Sequence, residues 1–418
     1  MSVVGGGPSS AAARRLPRLA ILGCRGIPAR YGGFETFAEE LGARLVARGF
    51  DVTVFCQASD EREPPRAHRG VRLEYVRVPP LGPARALAYD VLALRRARAY
   101  DVVYMLGYGA AAFLGLARRG SNRVWVNMDG LEWRRAKWGR LARAWLARME
   151  RAALRSADRV VFDNAAVRRA VAGEAADARV HVIAYGAELA HEPDPRVLES
   201  LALRRHGYFL LVARIEPENH VLEILRAHAR SGVAHELLVV GDLAHAGRYG
   251  AACRAAGGAA RFLGALFDPC TLHALRRDSA AVVHGHSVGG TNPSLLEAMA
   301  AGAPLVAHDN PFNREVLAGD ASYFRHEDEL VAVLRAAAAW SPEERLRRGA
   351  LHRARIEQRY TWEQVAEQYA ALLAPPAAPP LVRRAPDAIA APLPRAPEPR
   401  TAEPRPVESS SAEREVAP

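Results

Sequence analysis

Short apolar runs separated by amphipathic stretches dominate the first half of the chain, at residues 19–22, 52–56, 73–76, 102–106, 124–128, 160–162 and 180–183. Runs this short, bounded by polar or glycine-containing segments, read as buried strands. The stretches between them, such as 36–48 and 137–155, read as helices. Strands alternating with helices predict a mostly parallel sheet covered on both faces. A second series follows at 209–212, 237–240, 261–262, 282–284 and 305–307. The expected fold class is α/β, with two tandem doubly wound Rossmann-like domains and a cleft between them. The length of 418 residues agrees, since it exceeds what a single core accommodates. The boundaries read as a disordered N-terminus at 1–18, a first domain at 19–188, a polar linker at 189–205 with Pro193 and Pro195, and a second domain at 206–374. Residues 375–418 hold 12 of the 28 prolines among Ala, Glu and Arg, too little apolar surface to fold, and are expected to be a disordered tail.

The chain carries 57 basic against 46 acidic residues, a formal charge of +11, and Lys137 is its single lysine. Such an excess suggests an anionic partner, whether phosphate, nucleic acid or lipid headgroups. The tail's six arginines balance six acids, so the excess belongs to the rest of the chain. Residues 134–155 carry eight basic side chains against Glu150 alone, with Trp138, Leu141, Trp145 and Met149 recurring at helical spacing. A basic helix with tryptophans reads as interfacial, which makes Trp138, Arg140, Arg143, Trp145 and Arg148 candidates for a membrane or acceptor surface. The other reading packs the stripe on the domain's own sheet and leaves the arginines solvated. A combined arrangement turns the stripe inward and the arginines toward lipid phosphates. No recognition module or aromatic platform for nucleic acid appears, so that partner ranks last. Cys24, Cys56, Cys253 and Cys270 lie far apart without a CxxC pair, which fits a reducing cytoplasm. Neither a signal-type apolar region nor a run of ~20 apolar residues occurs. The expected location is cytoplasmic, peripheral on the inner face of the plasma membrane.

Phosphate-bearing ligands suit the cleft of such a fold, because helix N-termini point into it. The first strand runs into a glycine-rich loop, 23–36, where Gly32 and Gly33 permit close backbone approach to a phosphate or sugar. In the second half, Asn292 suits an N-cap and Pro293 the first helical position. A helix starting there offers its positive dipole end to a diphosphate, with the loop 286–291 contributing amides. Glu297, further along the same helix, can accept hydrogen bonds from a ribose diol or serve as a surface carboxylate. Arg214 follows the strand at 209–212, where a guanidinium holds phosphate oxygens bidentately. A competing signal is Gly107-Tyr108-Gly109-Ala110-Ala111-Ala112 with Asp129 beyond it, which matches a dinucleotide fingerprint and suggests an NAD-dependent oxidoreductase. It falls mid-domain, whereas that fingerprint belongs to the first βαβ unit. No ligand cluster at metal spacing, nucleophile elbow or Walker lysine loop occurs, so no metal is expected.

The strings ILGCRGIPARYGGFETFAEEL, VNMDGLEWRRAKWGRLAR, VARIEPEN, HGHSVGGTNPSLLEAMAAGAPLVA and DNPFNREVL occur in this order between residues 19 and 369. With them the chain resembles the GT-B glycosyltransferases of family 4, in the branch of bacterial rhamnosyltransferases whose N-terminal domain long carried an uncharacterised-domain label. The resemblance implies a retaining transfer from a nucleotide-diphosphate sugar, such as dTDP-rhamnose, bound by the second domain. The acceptor, lipid-linked or saccharide, would sit mainly on the first, in cell-surface polysaccharide synthesis without a cofactor. It implies Arg214 as the cation that neutralises the leaving diphosphate and Asp129 as an acceptor-side polar residue. Donor contacts would come from Gly32, Gly33, Asn219, Gly290, Thr291, Asn292, Ser294 and Glu297. Two positions depart from the broad family's pattern. Gly289 stands where the first glutamate of an E-x7-E element falls, and Asn219 where a lysine follows the arginine by five.

Overall fold

The computed structural model describes residues 15–29, 32–58, 64–135, 137–189, 196–244 and 246–374. The expectations of disorder at 1–14 and 375–418, and the Pro193/Pro195 part of the linker, lie outside the described residues. The first sheet contains β1 (Arg18–Leu22), β2 (Asp51–Gln57), β3 (Ala67–His68), β4 (Val71–Val76), β5 (Val102–Leu106), β6 (Arg123–Asn127), β7 (Arg159–Phe162) and β8 (Val180–Val182). Its order is β3-β4-β2-β1-β5-β6-β7-β8, parallel except for the β3–β4 pair. Helices α1 (Gly33–Ala47), α2 (Arg85–Ala97), α3 (Arg140–Ser156) and α4 (Ala165–Ala172) connect its strands.

After α5 (Arg196–Ser200) the second sheet comprises β9 (Tyr208–Val212), β10 (Glu236–Val240), β11 (Arg261–Gly264), β12 (Ala281–His284), β13 (Leu305–His308) and β14 (Ser322–Phe324). These run in the order β11-β10-β9-β12-β13-β14, all parallel. The helices are α6 (Val221–Ser231), α7 (Gly247–Ala256), α8 (Pro269–Arg277), α9 (Pro293–Ala300), α10 (Pro311–Leu317), α11 (Glu327–Ala338), α12 (Pro342–Arg359) and α13 (Trp362–Leu373). Both series of apolar runs are thus strands, joined by the short β3 and β14, which carry too few apolar residues to stand out in the sequence.

Two elements differ from the expected boundaries. The linker is partly helical, and Val197 of α5 is buried in the core. Helix α13, read with the second domain, packs against the first sheet instead. Its buried residues Trp362, Val365, Ala366, Tyr369 and Leu373 recur at helical spacing. Phe37 lies 6.3 Å from the Trp362 ring and 5.6 Å from Tyr369, and the Tyr104 and Tyr369 hydroxyls share a 2.8 Å hydrogen bond. Each such apolar side chain stabilises by about 1.5–3 kcal/mol when fully buried. Thr361 and Gln364 start the helix with reciprocal caps. The chain therefore returns to its first half before it ends, which ties the two sheets together at a second point.

Candidate active site

In a parallel sheet every strand ends on the same side, so the residues just past those ends gather in one place. Arg214 lies two residues beyond β9, with about half of its side chain exposed, and its Nη2 is 3.4 Å from Glu216 Oε2. The 3-10 turn Pro217–Asn219 folds back beneath it. Asn219 is buried and donates from Nδ2 to the Arg214 carbonyl at 2.8 Å. Its amide thus braces the backbone that carries Arg214 and is turned away from the cleft, unlike the donor contact expected of it. Ser287 binds the same turn, donating through both N–H and Oγ to the Glu218 carbonyl at 2.9 Å.

Helix α9 starts as its residue types demand. Asn292 caps it by accepting from Ser294 N and Ser294 Oγ, both at 2.9 Å, and Pro293 occupies the first turn. Glu297 is held by the buried Arg276 guanidinium while 40% of its own side chain stays exposed. One carboxylate edge is fixed and the other faces outward. The glycine-rich loop of the first half reaches this helix directly: a Cβ on Gly33 would stand 3.2 Å from Pro293 Cγ. The loop itself is folded onto α1, with Glu35 accepting from Arg25 N at 2.8 Å and Glu39 from Ala29 N at 2.6 Å. Gly32 is extended and precedes α1 without a side-chain cap.

The segment 289–291 is engaged by the first half of the molecule. Asp163, the residue after β7, accepts from Thr291 N at 2.6 Å, and its carbonyl accepts from Thr291 Oγ1. A Cβ on Gly290 would fall 2.0 Å from Asp163 Oδ1, and one on Gly130 would fall 2.8 Å from the Gly289 backbone. Gly290 and Thr291, expected as donor contacts, are therefore interdomain contacts in this arrangement. Gly289 has φ +139, a conformation that L side chains rarely adopt. Burial, and then the neighbouring Asp129, push the Asp163 carboxyl well above the usual carboxylate range.

Asp129 faces the cleft from the end of β6. Tyr185 Oη donates to its Oδ1 at 2.9 Å, and its own N–H donates to Asn127 Oδ1 at 2.9 Å. Burial raises its carboxyl to about 6 against the opposing pull of Arg135. Arg135, tied to Glu132, lies 4.0 Å from Glu216 of the second half. Beneath this group two imidazole pairs stack, His284 with His286 at 4.4 Å and His220 with His308 at 4.6 Å between ring centroids. Burial drives His284 to about 3 and His308 to about 4, so both are neutral at pH 7. Among the described residues, no group of three or more His, Cys, Asp or Glu is arranged to hold a metal ion.

The 107–112 loop does not have the form a dinucleotide fingerprint requires. A 3-10 helix, Ala111–Ala117, follows it in place of an α-helix, and Trp145 Nε1 donates to the Gly109 carbonyl across it. Asp129, half-buried just past β6, accepts from Tyr185 Oη at 2.9 Å. The basic helix also differs from expectation. Its inward face is Leu146, Met149 and Ala153, while Leu141 is 89% and Trp145 38% exposed. Trp138 is turned in and donates to Glu132 at 3.1 Å. Arg140, Arg143 and Arg148 are exposed. Asp163, Arg135, Glu216 and the paired histidines were not legible as site residues. For Asp163 the signal was present, since it follows a strand as Asp129 follows β6.

Residues 17–188 match a family model described as a domain of unknown function, DUF1972, and residues 223–371 match one described as glycosyl transferase-like. Residues 223–371 thus resemble a glycosyl transferase-like domain. Sucrose-phosphate synthase from Thermosynechococcus elongatus superposes with TM-score 0.70 at 19% identity, covering 85% of this chain and 98% of that one. Anabaena HepE in complex with UDP-glucose gives TM-score 0.68 at 16% identity, over 85% and 99% of the two chains. A glycosyltransferase from Rickettsia africae gives 0.64 at 11% identity, over 85% and 98%. The chain thus has the GT-B fold, two Rossmann-like units facing one cleft. No curated protein matches it in sequence. No helix among the described residues is long and apolar enough to cross a membrane.

Proposed function

We propose that this enzyme is a retaining glycosyltransferase that moves a sugar, rhamnose being the best fit, from a nucleotide-diphosphate donor to a lipid-linked or saccharide acceptor in cell-surface polysaccharide synthesis. The observation that carries the reading is Arg214, whose guanidinium sits in the cleft at the end of β9 and, with Arg135, flanks Glu216. In this reading the first turn of α9, Asn292 and Ser294 lie along the donor diphosphate, Gly32 and Gly33 close over it, and Glu297 takes the ribose. Gly290 and Thr291 keep their place in the donor site through the closure that Asp163 holds.

The reaction breaks the bond between the anomeric carbon and the diphosphate oxygen and forms one to the acceptor oxygen on the same face. The acceptor proton passes to the leaving diphosphate. Such a step needs positioning and charge stabilisation more than side-chain acid–base chemistry. Arg214 and the α9 dipole stabilise the departing charge, and Asp129, held by Tyr185, orients the acceptor hydroxyl. Gly289 has no carboxylate to offer a donor sugar, and Asn219 spends its amide on the Arg214 carbonyl, which supports a sugar pocket unlike that of glucose- or mannose-using relatives. An exposed Leu141 and Trp145 among Arg140, Arg143 and Arg148 supports docking on an anionic membrane carrying the acceptor. The test offers purified protein dTDP-, UDP- and GDP-sugars with a lipid-linked monosaccharide. Release of nucleoside diphosphate from one donor alone names the substrate, and release from none contradicts the reading.

A further inference from the structure

A diphosphate leaving group carries at least two negative charges, and Arg214 offers one compensating charge. Asn219, five residues on, is uncharged, buried and bonded to the Arg214 carbonyl. A second cation does reach the same place from the other half of the molecule. Arg135 Nη1 lies 4.0 Å from Glu216 Oε2, and Arg214 Nη2 lies 3.4 Å from that same oxygen. Two guanidiniums from opposite walls of the cleft therefore converge on one anionic atom. That atom is buried and accepts no hydrogen bond from either of them. It marks an anion position that both cations face and neither grips.

We propose that Arg135 supplies the second cation for the donor diphosphate and that Glu216 occupies its place until the donor arrives. The assignment rests on the reading of the cleft as the donor site. Arg135 is well prepared for the task. Its side chain is only 13% exposed, Glu132 anchors it from within its own half, and nearby carboxylates favour its charged form. A phosphate oxygen between two guanidiniums gains charge-assisted hydrogen bonds that the Glu216 oxygen lacks. The two arginines come from different halves of the chain.

Calorimetric titration with UDP, dTDP and GDP identifies which nucleoside diphosphate the wild type binds. For that ligand, Arg135→Gln weakens binding by at least about tenfold, the loss expected for one charge-assisted contact, and the monophosphate is affected much less. Arg135→Lys restores part of the loss. Glu216→Gln, which removes the competing carboxylate, leaves binding unchanged or tighter. Unchanged binding in folded Arg135→Gln overturns the proposal, as does equal weakening by Glu216→Gln, the sign of a merely structural ion pair. Loss of farnesyl diphosphate binding in Arg135→Gln with the nucleoside diphosphate unaffected would move the cation to the acceptor and also overturn it. A wild type that binds none of the three nucleotides refutes the donor-site reading itself, and this proposal falls with it.

Discussion

Arg214 and Asp129 face each other across the cleft with opposite demands on charge. Arg214 is half-exposed, so under its proposed role truncating it should remove transition-state stabilisation with little effect on the fold. Steady-state assays should show Arg214→Ala reducing turnover at least about 10²-fold, as for loss of a single oxyanion-stabilising donor. Asp129 is raised to about 6 chiefly by burial, so the folded state binds its proton more tightly than the unfolded chain does. Its stabilising contribution is therefore complete below the ordinary carboxylate range and is lost as pH rises through about 6. Asp129→Asn should gain about 3 kcal/mol at pH 8 relative to acid, read by denaturant unfolding, while losing transfer activity. Gain of stability with full activity would remove Asp129 from the acceptor site. At this scale the sequence was informative where a residue followed a strand or capped a helix, as with Arg214, Asp129 and Asn292. It was silent where a role depends on a partner from the other half, as with Arg135.

Helix α3 and the 289–291 segment show what packing adds to pattern. The tryptophan-bearing stripe is amphipathic on any helical wheel, yet periodicity alone does not say which of two adjacent apolar faces meets the sheet. The structure turns Leu146, Met149 and Ala153 inward and leaves Leu141 outside. Leu141→Asp should change stability by no more than about 0.5 kcal/mol, as for an exposed position. The same variant should reduce sedimentation with phosphatidylglycerol vesicles at low salt. Equal partitioning of wild type and variant, or of wild type onto neutral and anionic vesicles, would remove α3 from the membrane. In the 289–291 segment, Gly290→Ala places a methyl group against the Asp163 carboxylate and should cost about 1–3 kcal/mol. Combined with Asp163→Ala it should add little further loss in thermal unfolding, because both changes act on one contact.

For the whole molecule, the alternation of strands and helices was enough to define two Rossmann-like units, because buried parallel strands cannot be written any other way. The return of α13 to the first sheet was not legible, since its apolar face suits either unit and only tertiary contact with Phe37 and Tyr104 decides. The same is true of the cleft. Each wall carries recognisable residues, but the Asp163–Thr291 and Arg135–Glu216 contacts exist only between walls. In the proposed reaction this cleft transfers a sugar from a nucleotide-diphosphate donor with Arg214 stabilising the leaving group. This reading is tested most directly by measuring nucleoside diphosphate released by wild type and Arg214→Ala from dTDP-, UDP- and GDP-sugars with a lipid-linked acceptor. Acceptor-dependent release from one donor by the wild type and a loss of at least about 10²-fold in the variant are expected. Equal release by both proteins, or none from any donor, would contradict it.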